Sequence, residues 1–505
     1  MNILKKITLL VLIAGLFVTC NDIIDIEQPG LLGPNQAYQS VSDLEGGLLG
    51  VYIQLDTSHD VYFNSAWTDE ISIGLENGGQ GRSSTYVYQL LTTDAGPTAI
   101  WTTNYDAINA ATRLIEAAQE FTPSADQQDE YDSVVGQAHA IRAFAHFKLM
   151  QYFAEDLTDD SSLGVIIVDE IPGIQDQRER NTTGEVFTAI NDDLSIAESL
   201  IPVDQSNPNF WSLDAVTALR AVIATYREDY PLAESLSQQI VDSYDLTTQE
   251  EYLDLFRIDA SNGVLFSLNR TIGDAYDGQG NTGSAFAGGW IGANYAFGGP
   301  GIDGGVYYET GRTLYNIVDQ DDVRFDMVAS DDRLIDPGYP DNTTASAFGE
   351  NDVIPVNKYR GNVPGENQPL MNNLKVLRVA EQYLINAEAK VANGDIPGAM
   401  TIIDEIRDAR FGSDQPAPTA ANTTEAFGVI LDERRVELAF EGHRYLDLGR
   451  LGSRGDRNIE KDPLDCELYG GCTPPDLNSY KWRFPIPQVE LDANNAISQN
   501  PGYEG

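Results

Sequence analysis

The sequence predicts a mostly α-helical fold of tetratricopeptide-type helix pairs, broken by one large loop-rich insertion. Three observations carry this. Apolar residues recur at steps of three and four over most of the chain, short polar or glycine breaks separate the runs, and the composition changes at about 244–373. The clearest pair spans 374–411. Leu377, Ala380, Leu384, Ala387 and Val391 fall on one helical face. Asn393-Gly394-Asp395 then ends the run, because Gly394 can adopt the left-handed conformation and Asp395 can cap the next helix. That second helix buries Ile396, Ala399, Ile403 and Ile406. Two amphipathic helices on so short a turn pack antiparallel, and one such pair cannot bury its own apolar face.

From the beginning of the chain, Lys5 and Lys6 precede an apolar stretch, Ile7 to Val18, too short to span a bilayer as a mature helix. Cys20 follows directly, the pattern of a bacterial lipoprotein in which the thiol is acylated. Residues 1–19 are therefore expected to be a signal peptide, and 20–34 the lipidated Cys20 and a tether. Ordinary secretion with an unmodified Cys20 is the alternative. A helix over about 35–57 carries Tyr38, Val41, Leu44, Leu48 and Tyr52. Residues 58–98 mix polar, glycine and aromatic residues without helical period and read as irregular, a length that favours function over simple connection.

Helices resume at 99–119, burying Ile108, Ala111, Ile115 and Ala118, and at 127–154, with Val134, Ala138, Ile141, Ala145, Leu149 and Tyr152. Thr182 and Glu185 form a capping box before Phe187, Ile190, Leu194 and Ala197. A partner at 212–227 presents Val216, Leu219, Ile223 and Tyr226, and Pro231 opens a helix with Leu232, Leu236 and Ile240. With 374–411 and 424–450 this makes about four helix pairs. The body covers about 35–243 and 374–450, the insertion 244–373, and a closing segment 451–505, all in a single domain 35–505. Between Gly273 and Gly311 thirteen glycines interleave with Tyr276, Phe286, Trp290, Tyr295, Phe297, Tyr307 and Tyr308. Glycine at that density opposes helix. Aromatic rings on such a backbone suit a surface that lays flat faces against sugar rings, the alternative being rings buried against the helical body.

Charge narrows the partners. Acidic residues number 78 against 31 basic, a net −47 at pH 7, which excludes a nucleic-acid partner and disfavours strongly anionic glycans. Solubility in salty water explains the same balance without any substrate. Cys466 and Cys472, a close pair in an exported chain, are expected to form a disulfide closing CELYGGC. So short a loop stabilises by only about 2 kcal/mol, so we read it as a local staple.

Signatures of catalysis are thin. The histidines are His59, His139, His146 and His443, and no HExxH, GxSxG or phosphate-binding glycine loop occurs. His139 and His146 share a helix and are read as packing residues. Glu433, Arg434, Arg435, Glu437, Glu441 and Arg444 stand at helical spacing and read as ion pairs along a packed helix rather than a catalytic cluster. A glycosidase needs two carboxylates at a set separation across a cleft, and nothing in the sequence singles out such a pair. Trp101 and Trp482 read as structural, the latter before a strand-like RFPIP, and Trp211 is undecided. Trp67 and Trp290 lie in irregular sequence and are the candidate stacking rings. Asp69, Asn77, Arg82 and Asn294 are candidate hydrogen-bonding partners, with Tyr295, Tyr307 and Tyr308 beside them.

LRVAEQYLINAEA, LDERRVELAFEGHRYLDLGR at 431–450 and RFPIPQVELDANNAISQNPGY at 483–503 are similar, in order and spacing, to the SusD/RagB family. The closing stretch, with Pro487, Glu490, Asn494 and Gln499-Asn500-Pro501-Gly502-Tyr503, is the most distinctive. Asp322-Val323-Arg324 and Lys358-Tyr359 match family positions upstream. The resemblance implies a SusD-like fold and a non-catalytic, lipid-anchored, surface-exposed outer-membrane protein. Such a protein binds an oligo- or polysaccharide, which the acidic charge balance makes a neutral one here, and delivers it to a SusC-like TonB-dependent transporter that it caps as a lid. Ligand contacts are expected from loops in 58–98 and 271–310. No cofactor is expected; a structural calcium ion among the acidic loops is the one metal the sequence leaves open. A peptide- or protein-binding helical scaffold and a surface glycoside hydrolase are the rival functions.

Overall fold

A computed structural model describes residues 38–503, apart from 75–78, 80, 174–175, 271–307, 330, 332, 336–351 and 360–371. The chain opens with α1 (Val41–Gln54) and α2 (Ser58–Trp67), then strand β1 (Ile71–Ile73) and a 3₁₀ turn at Thr85–Val87. The long helices α3 (Ala95–Gln119) and α4 (Gln128–Phe153) follow, then α5 (Thr183–Leu200), α6 (Leu213–Tyr226) and α7 (Tyr230–Ser243). Next come α8 (Gln249–Arg257), β2 (Val264–Leu268), β3 (Tyr308–Thr310), α9 (Arg312–Ile317) and α10 (Phe325–Val328). The last part holds β4 (Leu374–Arg378), α11 (Val379–Ala392), α12 (Ile396–Phe411), α13 (Thr423–Glu437) and α14 (Arg444–Gly455). Two short helices, α15 (Pro463–Cys466) and α16 (Gln488–Ala493), complete it.

The molecule is mostly helical, as the periodicity predicts. Helix α3 packs on α4, α4 on α5, α6 on α7, α7 on α11, α11 on α12 and α13 on α14. Their apolar faces merge into one cluster running from Leu44 to Ile497. The predicted punctuation is in place. The Thr182 hydroxyl accepts from Glu185 N–H while the Glu185 carboxylate accepts from Thr182 N–H. Gly394 has φ +94°, and Asp395 accepts from Gly398 N–H at 2.9 Å.

Four readings of local structure change. Residues 58–67 form helix α2, although they look irregular in the sequence. Residues 374–378 form a strand, not the first turn of a helix; β4 pairs antiparallel with β2, Leu374 opposite Leu268 and Arg378 opposite Val264. The 424–450 run breaks at 438–443 into α13 and α14, with Phe440 and Gly442 at positive φ. Helix α7 turns Leu232 outward and buries Tyr230, Ala233, Ser237 and Ile240. The small residues let α11 come close, and Asn386 Nδ2 donates to Ser237 Oγ at 3.1 Å. The RFPIP stretch is extended but joins no strand. Phe484 and Ile486 are fully buried, and the QNPGY motif clasps the segment. Asn500 Nδ2 donates to the carbonyls of Phe153 (2.9 Å) and Phe484 (2.7 Å), and Gln499 both donates to and accepts from the Ile486 backbone.

At the centre, charges predicted to pair along one helix pair instead between distant segments. Arg324, from the Asp322-Val323-Arg324 stretch, reaches Glu433 at 2.6 Å, and Lys358 reaches Glu441 at 2.6 Å. Arg378, at the end of β4, contacts Glu437 at 3.1 Å and Glu441 at 2.7 Å, while Arg410 contacts Glu437 at 2.9 Å. All seven side chains are buried. Burial alone would raise the Glu437 carboxyl, but Arg410 and Arg378 hold it well below the usual carboxylate range. The family-typical residues thus form an ionic hub that fixes helices α12 and α13 against β4.

Candidate functional site

Of the two regions singled out for ligand contact, 58–98 and 271–310, the described end of the second, 308–310, lies against the first. Strand β1 from the first pairs antiparallel with β3 from the second, with Ile71 opposite Thr310, Ser72 opposite Glu309 and Ile73 opposite Tyr308. The pairing sets Tyr308 beside Tyr62 of α2. Their ring centroids are 5.7 Å apart at 56°, and the Tyr308 hydroxyl donates to that of Tyr62 at 3.1 Å. The Tyr62 hydroxyl donates onward to Ser83 Oγ at 3.1 Å. All three are half-buried. Arg82 is exposed beside them, and its Nε donates to the Tyr469 carbonyl at 2.7 Å. This edge therefore offers half-buried aromatic rings, a hydroxyl chain and an exposed guanidinium on a shelf partly open to solvent, the mixture of flat apolar surface and directed polar groups that sugars match.

Beneath the shelf lies a rigid charged floor. Asp69 is buried and paired with Arg444 at 3.0 Å and Arg435 at 3.3 Å. Burial opposes its ionisation, but the two guanidinia hold its carboxyl at about 2. Its neighbour Glu70 is shifted the other way. Burial, helped by the Asp69 charge, pushes it up to about 7 despite a 2.6 Å hydrogen bond from Ser65. Asp465 holds Arg312 at 2.6 Å below the end of β3.

Measured against this geometry, two proposed contact residues are corrected. Trp67 is fully buried, stacked on Phe63 at 5.3 Å and edge-on to Tyr88 and Tyr445, so it is a core residue. Asp69 belongs to the ionic floor and presents no carboxylate to solvent. Arg82 and Tyr308 lie on the shelf. Asn77, Trp290, Asn294, Tyr295 and Tyr307 fall outside the described residues, as do Cys20 and the signal and tether segments. Trp211, undecided before, is buried and stacks on Phe266 at 4.2 Å, and Trp101 and Trp482 are buried too. His139 accompanies Arg142 on Asp193, and His146 is buried against the Arg142 carbonyl, both as packing residues. Cys466 and Cys472 are joined, their Cα atoms 5.1 Å apart. Tyr62, Ser83 and Tyr469 went unnoticed in the sequence. Reading 58–67 as a helix would have separated the outward Tyr62 from the inward Phe63 and Trp67.

Other openings lie elsewhere among the described residues. A small opening lined by Asp60, Lys148, Gln151 and His443 holds about 50 Å³, room for a few waters. A cleft of about 420 Å³ is walled by Leu49, Ile53 and Phe210, with its Arg270 tied to Asp56. Among the described residues, no group of three or more His, Cys, Asp or Glu could hold a metal ion, and no helix is long and apolar enough to cross a membrane.

Comparison with known proteins agrees with this architecture. Residues 336–503 match the model of the SusD family, and residues 51–224 match a second model described as starch-binding associating with outer membrane. SusD-like protein P2 of Formosa agariphila is 26% identical, with 99% of each chain covered. SusD-like protein P38 of the same organism is 24% identical over 88% of this chain and 91% of that one. A SusD superfamily crystal structure from Bacteroides thetaiotaomicron superposes with a TM-score of 0.73 at 23% identity, covering 92% of this chain and 100% of that one. A SusD-like carbohydrate binding protein from Bacteroides vulgatus superposes with a TM-score of 0.67 at 18% identity, over 91% and 98% of the two chains. With one match in each half of the sequence, full-length relatives of the same name and the same architecture, the chain belongs to the SusD/RagB family.

Proposed function

We propose that this protein is a non-catalytic carbohydrate-binding lipoprotein of the outer membrane, anchored through Cys20 and exposed at the cell surface. In this reading it captures a neutral oligo- or polysaccharide and hands it to a SusC-like TonB-dependent transporter. The carrying observation is the Tyr62–Tyr308 pair, set by the β1–β3 pairing where the two loop regions meet. Its rings supply stacking faces, and the hydroxyl chain through Ser83 supplies directed hydrogen bonds. The family description as starch-binding and outer-membrane-associating supports the ligand class and the location. Burial of the Glu433, Glu437 and Glu441 carboxylates against guanidinium and ammonium groups supports a passive role, because neutralised acids out of water neither protonate a glycosidic oxygen nor attack an anomeric carbon.

Affinity gels cast with amylopectin, laminarin or xylan test the reading. The wild-type protein is retarded by at least one, and Tyr308→Ala weakens that binding by roughly tenfold, the scale of losing one stacked ring. Retardation by none of them, or release of new reducing ends during incubation, refutes it.

A further inference from the structure

We propose that the disulfide-closed loop Cys466–Cys472 is a third wall of the same ligand face, with Tyr469 as its contact ring and the disulfide as the device that positions it. The inference rests on the carbohydrate-capture reading above. The loop is locked at its base to the strand that carries Tyr308. Asp465, immediately before Cys466, accepts from Arg312 Nη1 at 2.6 Å and from the Arg312 backbone N–H at 2.9 Å, and Arg312 stands two residues beyond β3. The Asp465 carbonyl accepts the Tyr86 hydroxyl at 2.6 Å. The returning limb is pressed on the 3₁₀ turn: Gly470 and Gly471 have φ of +86° and +91°, and a Cβ on Gly471 would lie 2.6 Å from the Tyr86 carbonyl oxygen. Only glycine suits both demands there.

The tip points the other way, toward the shelf. The Tyr469 carbonyl accepts from Arg82, and its ring lies over Gly79, where any Cβ would collide with it. Burial and the Glu309 carboxylate push the Tyr469 phenol up. Leu468 is 70% exposed. The disulfide spans a sequence separation of only six, in a chain whose core already runs from Leu44 to Ile497. Its stabilising effect is correspondingly small, so its consequence is local: it holds Tyr469 at a set place opposite Arg82. A pre-positioned ring binds without paying an ordering cost.

Full-length wild-type protein is compared with Tyr469→Ala, Tyr308→Ala and the Cys466→Ser/Cys472→Ser double variant on the polysaccharide that retards it. Tyr469→Ala is expected to bind roughly tenfold more weakly, the loss of one stacked ring. The double serine variant is expected to lose part of that affinity, with its thermal melt close to wild type. In a Leu468→Trp variant, emission shifts when the polysaccharide is added. Wild-type binding by Tyr469→Ala alongside weakened Tyr308→Ala overturns the loop's role and leaves the capture reading standing. An unchanged emission at saturation overturns it too. If no polysaccharide retards wild type, the capture reading and this inference fall together.

Discussion

Two places in this molecule pull distant segments of the chain together, and they differ in what they leave open. At the ionic hub, Arg324, Lys358, Arg378 and Arg410 meet Glu433, Glu437 and Glu441 out of water, each charge facing an opposite one. At the shelf, Tyr62, Tyr308, Ser83 and Arg82 keep part of their surface in solvent. The hub gathers residues from stretches that match the family, yet its charged side chains are all buried. Chemical richness alone therefore does not mark a binding site; the solvent-facing remainder does. A buried ion pair is weak evidence of net stability, but removing one partner is costly because the other charge stays behind.

The largest expected effect lies at the hub. Glu437→Ala strips its partner from Arg410, Arg378 and Arg324, and urea denaturation should show a loss of about 3–5 kcal/mol, with polysaccharide affinity per folded molecule unchanged. Trp67→Ala should cost about 3 kcal/mol or more, the scale for emptying a buried aromatic site, again without weakening capture. If Trp67→Ala instead melted like wild type and lost the ligand, the division between core and shelf would be redrawn at α2.

Glu70 lies between the two regions and links stability to pH. Its folded carboxyl titrates at about 7 against an ordinary 4.5, so the native state holds a proton that the unfolded chain has already released. Its contribution is complete below pH 4.5, is lost as the pH rises, and is gone above about 7. Glu70→Gln should therefore melt like wild type at pH 4.5 and be more stable at pH 8, by about 3 kcal/mol. Equal melts at both values would show that Glu70 titrates alike in the folded and the unfolded chain. The smallest effect belongs to Tyr62→Phe, which cuts the hydroxyl chain between Tyr308 and Ser83. Stability should move by no more than about 1 kcal/mol, while calorimetry should show a severalfold loss of affinity.

The helical body was legible because its apolar residues repeat every three or four positions and its caps are local. Thr182 with Glu185, and Gly394 with Asp395, act within four residues of themselves. Helix α2 was not legible. Asp60, Asn64, Ser65 and Thr68 make the stretch look like a surface loop, yet all four are buried. Two of them find partners far away: Asp60 pairs with Lys148 at 2.6 Å, Asn64 Nδ2 donates to the Tyr152 hydroxyl at 2.9 Å, and Asn64 Oδ1 accepts from Tyr445 N–H at 3.0 Å. A sequence reading that equates polar with exposed therefore places Trp67 at the surface. Strand β4 was missed for a similar reason, since LKVLR suits a helix until β2 supplies the ladder.

The amino-acid sequence by itself determined the helix-pair class and the family. Each of these rests on local period, local capping or motif spacing, which need no knowledge of the fold. Only the tertiary structure decided which aromatics face solvent, that Asp69 and the Glu433–Glu441 carboxylates are neutralised, and that Tyr469 lies against Arg82, 387 residues away. Those outcomes depend on burial and on contacts between segments far apart in the chain, and neither is written in the local pattern of residues.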